Sequence, residues 1–528
     1  MSDNVKFLDW NVYQIYPRSF MDANGDGIGD LRGVIAKLDY LKDLGINAVW
    51  LSPCYKSPNC DNGYDISDYR DIMDEFGTLD DWKEMVAGMH SRGIKLIMDY
   101  VANHTSSEHK WFKEARKSKD NHYHNYYIWR DKIPNNWQSV FGGSAWEYNE
   151  ATNEYYLHSF AIGQPDLNWE NPQVRKEMAD VIDYWADLGV DGFRCDVLDF
   201  IAKDFEKGWM NNGPKFHQYV KELFGREKVK HLFTVGECSM GEDKIADICG
   251  QDRDELKCIF QFEHFGVGQR GKFNKQPYKI DEIRDILVKW QNFTQKHNLL
   301  YTLFTDNHDN AHYISRLGND GNLRYECATM YAAMFYLLKG IPFIYQGQEF
   351  GTPDPHYDNL QDFDDVETFN FYASNKDETP REKLIEMINY GGRDNVRRPV
   401  CWDNTKNYGF STSDNTWIKL HSRGAEVNLE NDKNSEKSVF EFYKKILALR
   451  NGSKAAKYGL FNDITGGSGY FAYTRTFEDE QILVVCNFDC PRNICGLPEF
   501  EYIFGNYGKR KANGEYQPFE AAVYVLKH

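Results

Sequence analysis

Eight short apolar runs recur between residues 12 and 349, most of them separated by stretches of helical period. They are VYQIYPRSF (12–20), NAVWLSP (47–53), KLIMDYV (95–101), GFRCDV (192–197), LFTVGEC (232–238), CIFQFEH (258–264), LYTLFTDN (300–307) and PFIYQGQE (342–349). Runs of this length suit buried strands. Between the first two, Leu31, Val34, Ile35, Leu38 and Leu41 fall on one helical face and Gly45 supplies a stop. The segments LDDWKEMVAGMHSRG and VRKEMADVIDYWADLG repeat that pattern. Strand and helix in alternation demand a parallel sheet. Eight such strands predict an α/β fold of the TIM type, a closed (β/α)₈ barrel.

The alternation fails in two places. From His104 to Asn168 the chain is polar, aromatic and irregular, too long for an idle loop. It reads as a domain inserted after the third strand, at the mouth of the barrel. Near residue 455 the pattern turns to short runs with turn signals, GYFAYTRTF, QILVVCNF and AAVYVLKH. These predict a C-terminal antiparallel β domain, a sandwich. The expected division is barrel 1–103 and 169–454, insert 104–168 and β domain 455–528.

The net charge of −18 argues against nucleic acid or an anionic membrane as partner. No apolar run approaches 18 residues, so no span is expected. The 11 cysteines are odd in number and include no C-x-x-C pair. Several fall within strand runs (Cys195, Cys238, Cys258, Cys486), which predicts free thiols in a reducing compartment. MSDNVKFLDW lacks a basic-then-apolar signal pattern. The expectation is a cytoplasmic protein, a monomer or weak homo-oligomer. Aromatics at 15% exceed what a core requires, and their faces suit stacking on sugar rings.

Three acidic residues stand at the ends of strand runs: Asp196, Glu237 and Asp309. In a barrel, strand ends converge on one rim. Three converging carboxylates supply what acid-catalysed glycoside cleavage needs: one ionised, one protonated and one to stabilise the sugar cation. Arg194 and Asp196 lie two apart on one strand face, so the guanidinium is expected to keep the carboxylate ionised. The blander alternative is an ion pair at the rim. Asp99, Asn103 and His104 follow the third strand. Asp61 and Tyr64 follow the second, and Asn307 and His308 precede Asp309. His104 is a candidate for a sugar hydroxyl, Asp61 and Tyr64 can supply a carboxylate and an aromatic platform, and Asn307-His308-Asp309 reads as a ligand site.

Asp22-Ala-Asn-Gly-Asp-Gly-Ile-Gly-Asp30 follows the first strand. Oxygens of Asp22, Asn24, Asp26 and Asp30, with the Ile28 carbonyl, predict a structural Ca²⁺ site. Gly33 replaces the Glu of a true EF-hand at the twelfth position. The alternative is a solvated turn.

Taken in order, DYVANH, GFRCDV, VGE and FTDNHD resemble the four signature regions of the α-amylase superfamily, the family 13 glycoside hydrolases. The resemblance spans nearly the whole chain. It implies Asp196 as nucleophile, Glu237 as acid/base and Asp309 as transition-state stabiliser. It implies Arg194 in support of Asp196, His104 and His308 on sugar hydroxyls, and Asp61 with Tyr64 closing the pocket. Arg397 is implied as the partner of Asp61, with Arg393 the weaker candidate. The calcium loop is implied too, and no organic cofactor. Gln164-Pro-Asp-Leu-Asn168, DNGYDI and QGQEFG are similar to the oligo-1,6-glucosidase group. Val197 after the nucleophile goes there with α-1,6 preference, Ala or Thr with α-1,4. The implied activity is a retaining exo-α-glucosidase on short α-1,6-linked oligosaccharides. CSMGED after Glu237 and RDNVRRPVCW depart from that group and bear on the aglycone. The rivals are a broad or α-1,4 glucosidase, trehalose-6-phosphate hydrolysis, sucrose isomerisation or transglucosylation, and a catalytically dead binding subunit.

Overall fold

The computed structural model describes residues 3–250 and 253–526. All eight expected strands form: β1 Val12–Ile15, β2 Ala48–Leu51, β3 Lys95–Val101, β4 Gly192–Asp196, β5 Phe233–Gly236, β6 Cys258–Ile259, β7 Thr302–Leu303 and β8 Ile341–Tyr345. They pair in parallel in the order β6-β5-β4-β3-β2-β1-β8-β7. The seam between β6 and β7 is closed by side chains. The Thr302 hydroxyl donates to the Ile259 carbonyl at 3.3 Å, and Phe260 meets Phe304 edge-on at 5.2 Å. The result is the (β/α)₈ barrel.

The first strand is shorter than the run 12–20 suggests. Pro17 has no N–H for a ladder, and it opens the short helix Pro17–Phe20 instead. The helical pattern from Leu31 divides into Leu31–Ala36 and Leu38–Leu44, hinged at Lys37. Gly45 stops it in the left-handed conformation, with φ 100°.

Residues 104–168 leave the barrel and return to it. Isolated bridges His104–Asp166 and Tyr127–Leu167 pin the outgoing chain to the incoming one. Between them, Glu154–Leu157 forms the centre of a three-stranded antiparallel sheet with Trp129–Arg130 and Trp146–Asn149.

The C-terminal segment forms a five-stranded antiparallel sheet and a two-stranded ribbon. Alternation gives the sheet two apolar faces. Phe471, Tyr473, Val484 and Cys486 join the main core. Tyr470, Ala472, Leu483 and Val485 pack beneath the ribbon on Ile494 and Tyr516. The first face covers the barrel helix Arg324–Tyr336, in which every residue from Glu326 to Tyr336 is buried. The Tyr473 hydroxyl donates to the Ala333 carbonyl at 3.1 Å, and the Asn506 amide to the Glu326 carbonyl at 3.1 Å.

Among the described residues no helix is long and apolar enough to cross a membrane. All eleven cysteines are free thiols, and only Cys60, Cys490 and Cys495 are exposed.

Candidate active site

The site is organised around one guanidinium. Arg194 and Asp196 lie on the same face of β4, beside Asp99 and Val101 of β3. Arg194 is fully buried between the rings of Trp50 and Tyr64. Its Nη1 donates to Asp99 Oδ1 at 2.8 Å and to Asp196 Oδ1 at 2.6 Å, and its Nη2 donates to Glu237 Oε2. Nucleophile candidate and acid candidate therefore bind the two terminal nitrogens of a single fork.

Three carboxylates on one cation cannot all ionise without leaving excess buried charge. Burial is the largest influence on Asp196 and pushes its pKa well above the usual carboxylate range. Arg194 opposes the shift, while Glu237 and Asp99 add to it. Asp99 is pushed up to about 6, again chiefly by burial. Arg194 lowers Asp196 as expected, but the guanidinium is shared with Asp99 and Glu237, and burial works against it.

Asp309, at the exit of β7, has the opposite setting. Arg397 Nη2 donates to its Oδ1 at 2.9 Å, Arg393 Nη1 stands at 3.6 Å, and His308 Nε2 lies 3.0 Å from its Oδ2. Burial alone would raise Asp309, but the Arg397 and Arg393 guanidinia beside it outweigh burial and hold the carboxyl far below its ordinary value. His308 is itself kept neutral by burial, with its pKa pushed down to about 3. The Gln14 amide reaches its Nδ1 at 2.8 Å and Tyr64 its Nε2 at 2.7 Å, and the Tyr64 hydroxyl also meets Asp99 at 3.2 Å. A relay of polar groups thus joins the two carboxylate clusters beneath the cavity floor.

The closed end of the cavity is built on Asp61. Its ion pair is with Arg393, at 3.0 Å, and not with Arg397. Arg397 is turned the other way, its Nε donating to the His308 carbonyl at 2.9 Å and its Nη2 to Asp309. Arg393 opens the short turn Arg393–Asn395 and is gripped by Asp365 through its Nε and Nη2. Gln164 from the insert donates to Asp61 at 3.1 Å and meets His104 at the same distance. His104 is pushed down to about 4 by burial, so it is neutral.

These groups line one cavity of about 550 Å³. Asp61, Tyr64, His104, Asp196, Val197, Glu237, His308 and Asp309 all reach it, and Arg194 lies just behind. Residues 22–30, the loop read from sequence as a Ca²⁺ site, lie outside its lining. Sequence reasoning missed the apolar wall, Phe141, Phe160, Phe200 and Phe262, and the ion pair of Lys272 with Glu367 at 2.5 Å. The first two phenylalanines sit in an insert without period, and the ion pair joins residues 95 apart, so neither left a local signal. A second cavity, about 600 Å³, opens at the opposite end of the barrel near Lys95 and Asp191. It lies at the strand starts, where barrels do not place chemistry.

Val197 lines the cavity in a left-handed conformation, φ 34° and ψ 45°. A β-branched residue is strained there. The strain turns the chain sharply after Asp196, and Leu198 N then donates to the Glu237 carbonyl at 3.0 Å.

A (β/α)₈ barrel with three rim carboxylates around a blind pocket is the architecture of a glycoside hydrolase. The chain belongs to the alpha-amylase family, whose catalytic-domain profile matches residues 14–459. It is 45% identical to the oligo-1,6-glucosidase of Parageobacillus thermoglucosidasius over 98% of each chain. It is 41% identical to the glucan 1,6-alpha-glucosidase of Streptococcus pneumoniae over 90% of each chain. Its fold superposes on the crystal structure of Bacillus licheniformis trehalose-6-phosphate hydrolase with a TM-score of 0.91, at 36% identity, covering 99% of this chain and all of that one.

Proposed function

We propose that this enzyme is a retaining exo-α-glucosidase that releases glucose from the non-reducing end of short α-1,6-linked oligosaccharides. One observation carries the reading: Asp196 and Glu237 share a guanidinium beside a cavity that the Asp61–Arg393 ion pair also lines. An ion pair facing the sugar next to the reacting carbon favours a terminal residue over a long chain. Two carboxylates on one fork can serve one anomeric carbon, which suits direct attack by the retaining route.

Asp196 attacks the anomeric carbon as Glu237 gives its proton to the departing oxygen. Asp309, fixed as an anion by Arg397 and Arg393, stabilises the sugar cation as it develops. Glu237 then takes a proton from water, which hydrolyses the glucosyl ester. His104 and His308, both neutral, serve as hydrogen-bond partners for hydroxyls. The cations lining the cavity, Lys272 and Arg393, are matched by Glu367, Asp365 and Asp61. Neither is left over for a phosphate, which favours a neutral sugar over trehalose 6-phosphate. The α-1,6 preference is supported by the names of the most similar relatives and by Val197. A panel of isomaltose, panose, maltose, sucrose and trehalose 6-phosphate, read for glucose, tests it. Isomaltose should be preferred, with α-glucose as the first-formed anomer. Preference for trehalose 6-phosphate, or β-glucose first, would overturn it.

A structural Ca²⁺ on the loop 22–30 belongs to the same proposal. What supports it is the donor set of Asp22, Asn24, Asp26, Asp30 and the Ile28 carbonyl. Among the described residues no three His, Cys, Asp or Glu side chains converge as a metal cage. Asp22 accepts from Gly25 N and Gly27 N, and Asp30 from Ala23 N and Asn24 N. The loop therefore keeps its shape through its own hydrogen bonds, and calcium would reinforce it. Chelation should lower the melting temperature by a few degrees, and an unchanged value with no bound metal would dismiss the ion. Residence in a reducing compartment, as a monomer or weak homo-oligomer, completes the reading. Eleven unpaired thiols support the first, and sedimentation tests the second.

A further inference from the structure

Asp199 stands three residues after Asp196, in the short turn Leu198–Ile201, with its side chain buried. Its Oδ2 accepts from Asn211 Nδ2 at 2.9 Å, from Ser239 N at 3.2 Å and from Asn212 Nδ2 at 3.3 Å. All three donors are neutral. Lys203, the nearest cation along the chain, is turned to Asp166 at 2.8 Å. Among the described residues no Lys, Arg or His forms an ion pair with Asp199. A buried carboxylate without a cation is costly, and such groups persist where they serve a purpose.

The placement suggests that purpose. Asn211 and Ser239 both line the active-site cavity, and Ser239 lies two residues after Glu237. Asn212 Nδ2 also reaches the Ser239 carbonyl at 3.3 Å, and Leu198 N holds the Glu237 carbonyl. Asp199 therefore fastens the segment after the nucleophile to the segment that carries the acid. The charged groups around Glu237 are Arg194, which donates to it, Asp196 and Asp99 on the same guanidinium, and Asp199, which accepts from Ser239 N two residues on. The adjacent Cys238 is a buried thiol, held neutral by burial. Burial pushes Asp199 up to about 6, and the charge of Glu237 adds to the shift. The three N–H donors on its Oδ2 oppose that shift and suit the ionised form.

We infer that Asp199 is a positioning residue for proton transfer: its cation-free carboxylate clamps the 237–239 segment through Ser239 N and adds a negative charge beside the segment that carries Glu237. The inference rests on Glu237 as acid/base. That reading fails separately, if Glu237→Gln keeps its turnover of isomaltose.

The test compares Asp199→Asn and Asp199→Ser, two neutral side chains of different shape, so that one can stand in if the other does not fold. Removing the charge weakens the last proton held by the carboxylate cluster, so the basic limb of the kcat profile should move about one pH unit toward acid. Turnover of isomaltose at pH 7 should fall about tenfold. Turnover of 4-nitrophenyl α-glucoside, whose leaving group departs without a proton, should fall no more than about twofold. Profiles that superimpose on the parent would overturn the inference, as would equal losses on both substrates, which mark a merely structural role.

Discussion

The two carboxylate clusters of the pocket are made of the same kinds of charge in different proportion. Around Arg194, three carboxylates share one cation. Around Asp309 and Asp61, three cations (Arg393, Arg397 and Lys272) meet four carboxylates, the other two being Asp365 and Glu367. Asp196 and Asp99 are pushed up while Asp309 and Asp365 are held down, although burial is the largest single influence on all four. The ratio of cations decides the outcome where burial does not differ. One cluster keeps a proton to move, and the other keeps a charge that does not move. Asp61, raised by burial despite Arg393, shows that one guanidinium shared with Asp365 does not suffice.

Replacing Asp196 by Asn should reduce kcat on isomaltose by at least about 10³-fold, because no other group stands at the attacking position. More than a few per cent of residual turnover would break the assignment of the proton-bearing cluster. Next in size is Arg393→Met, which strands Asp61 and Asp365 without their cation. A loss of about 3–5 kcal/mol of stability is expected, read by urea unfolding, with a raised KM. If the variant is as stable as the parent, the second cluster is not held together by charge.

The sharpest comparison is between Asp99→Asn and Asp309→Asn across pH. A carboxyl raised to about 6 contributes stability below its unfolded value, and that stability is lost as pH rises through 6. The Asp99→Asn variant should therefore gain on the parent between about pH 4 and 7, by up to about 3 kcal/mol. A carboxyl held down contributes stability above about pH 4, lost as pH falls through its folded value. The Asp309→Asn variant should fall further behind the parent as pH rises toward 4, then run parallel to it. Slopes of the same sign would contradict the opposed settings. The smallest effect concerns Val197. Glycine there should relieve about 1 kcal/mol of left-handed strain. Ala or Thr should move the isomaltose-to-maltose ratio of kcat/KM toward maltose by up to about tenfold.

Most of the barrel was legible because its strands are continuous apolar runs closed by carboxylates. The exceptions have local causes. Pro17 cut β1 short, and β7 is only Thr302–Leu303 because the seam beside it is made by side chains. The site was legible wherever a residue ended a strand, as Asp196, Glu237 and Asp309 do. It was not legible where partners come from irregular chain. Arg393 and Arg397 differ by four positions in a segment without period, so nothing in the spacing tells which one reaches Asp61. Asp99 stood out in the sequence only as an acid near His104. Its membership of the Arg194 cluster is visible only once β3 lies beside β4.

The helix Arg324–Tyr336 is dry on every side, and one of its covers is the sheet that begins at Leu460. A chain cut at that boundary would leave a barrel whose own wall is greasy outward. Such a fragment would self-associate before it could turn over sugar. The appended sheet is thus a condition for the catalytic body to exist in solution, although it contributes no atom to the pocket.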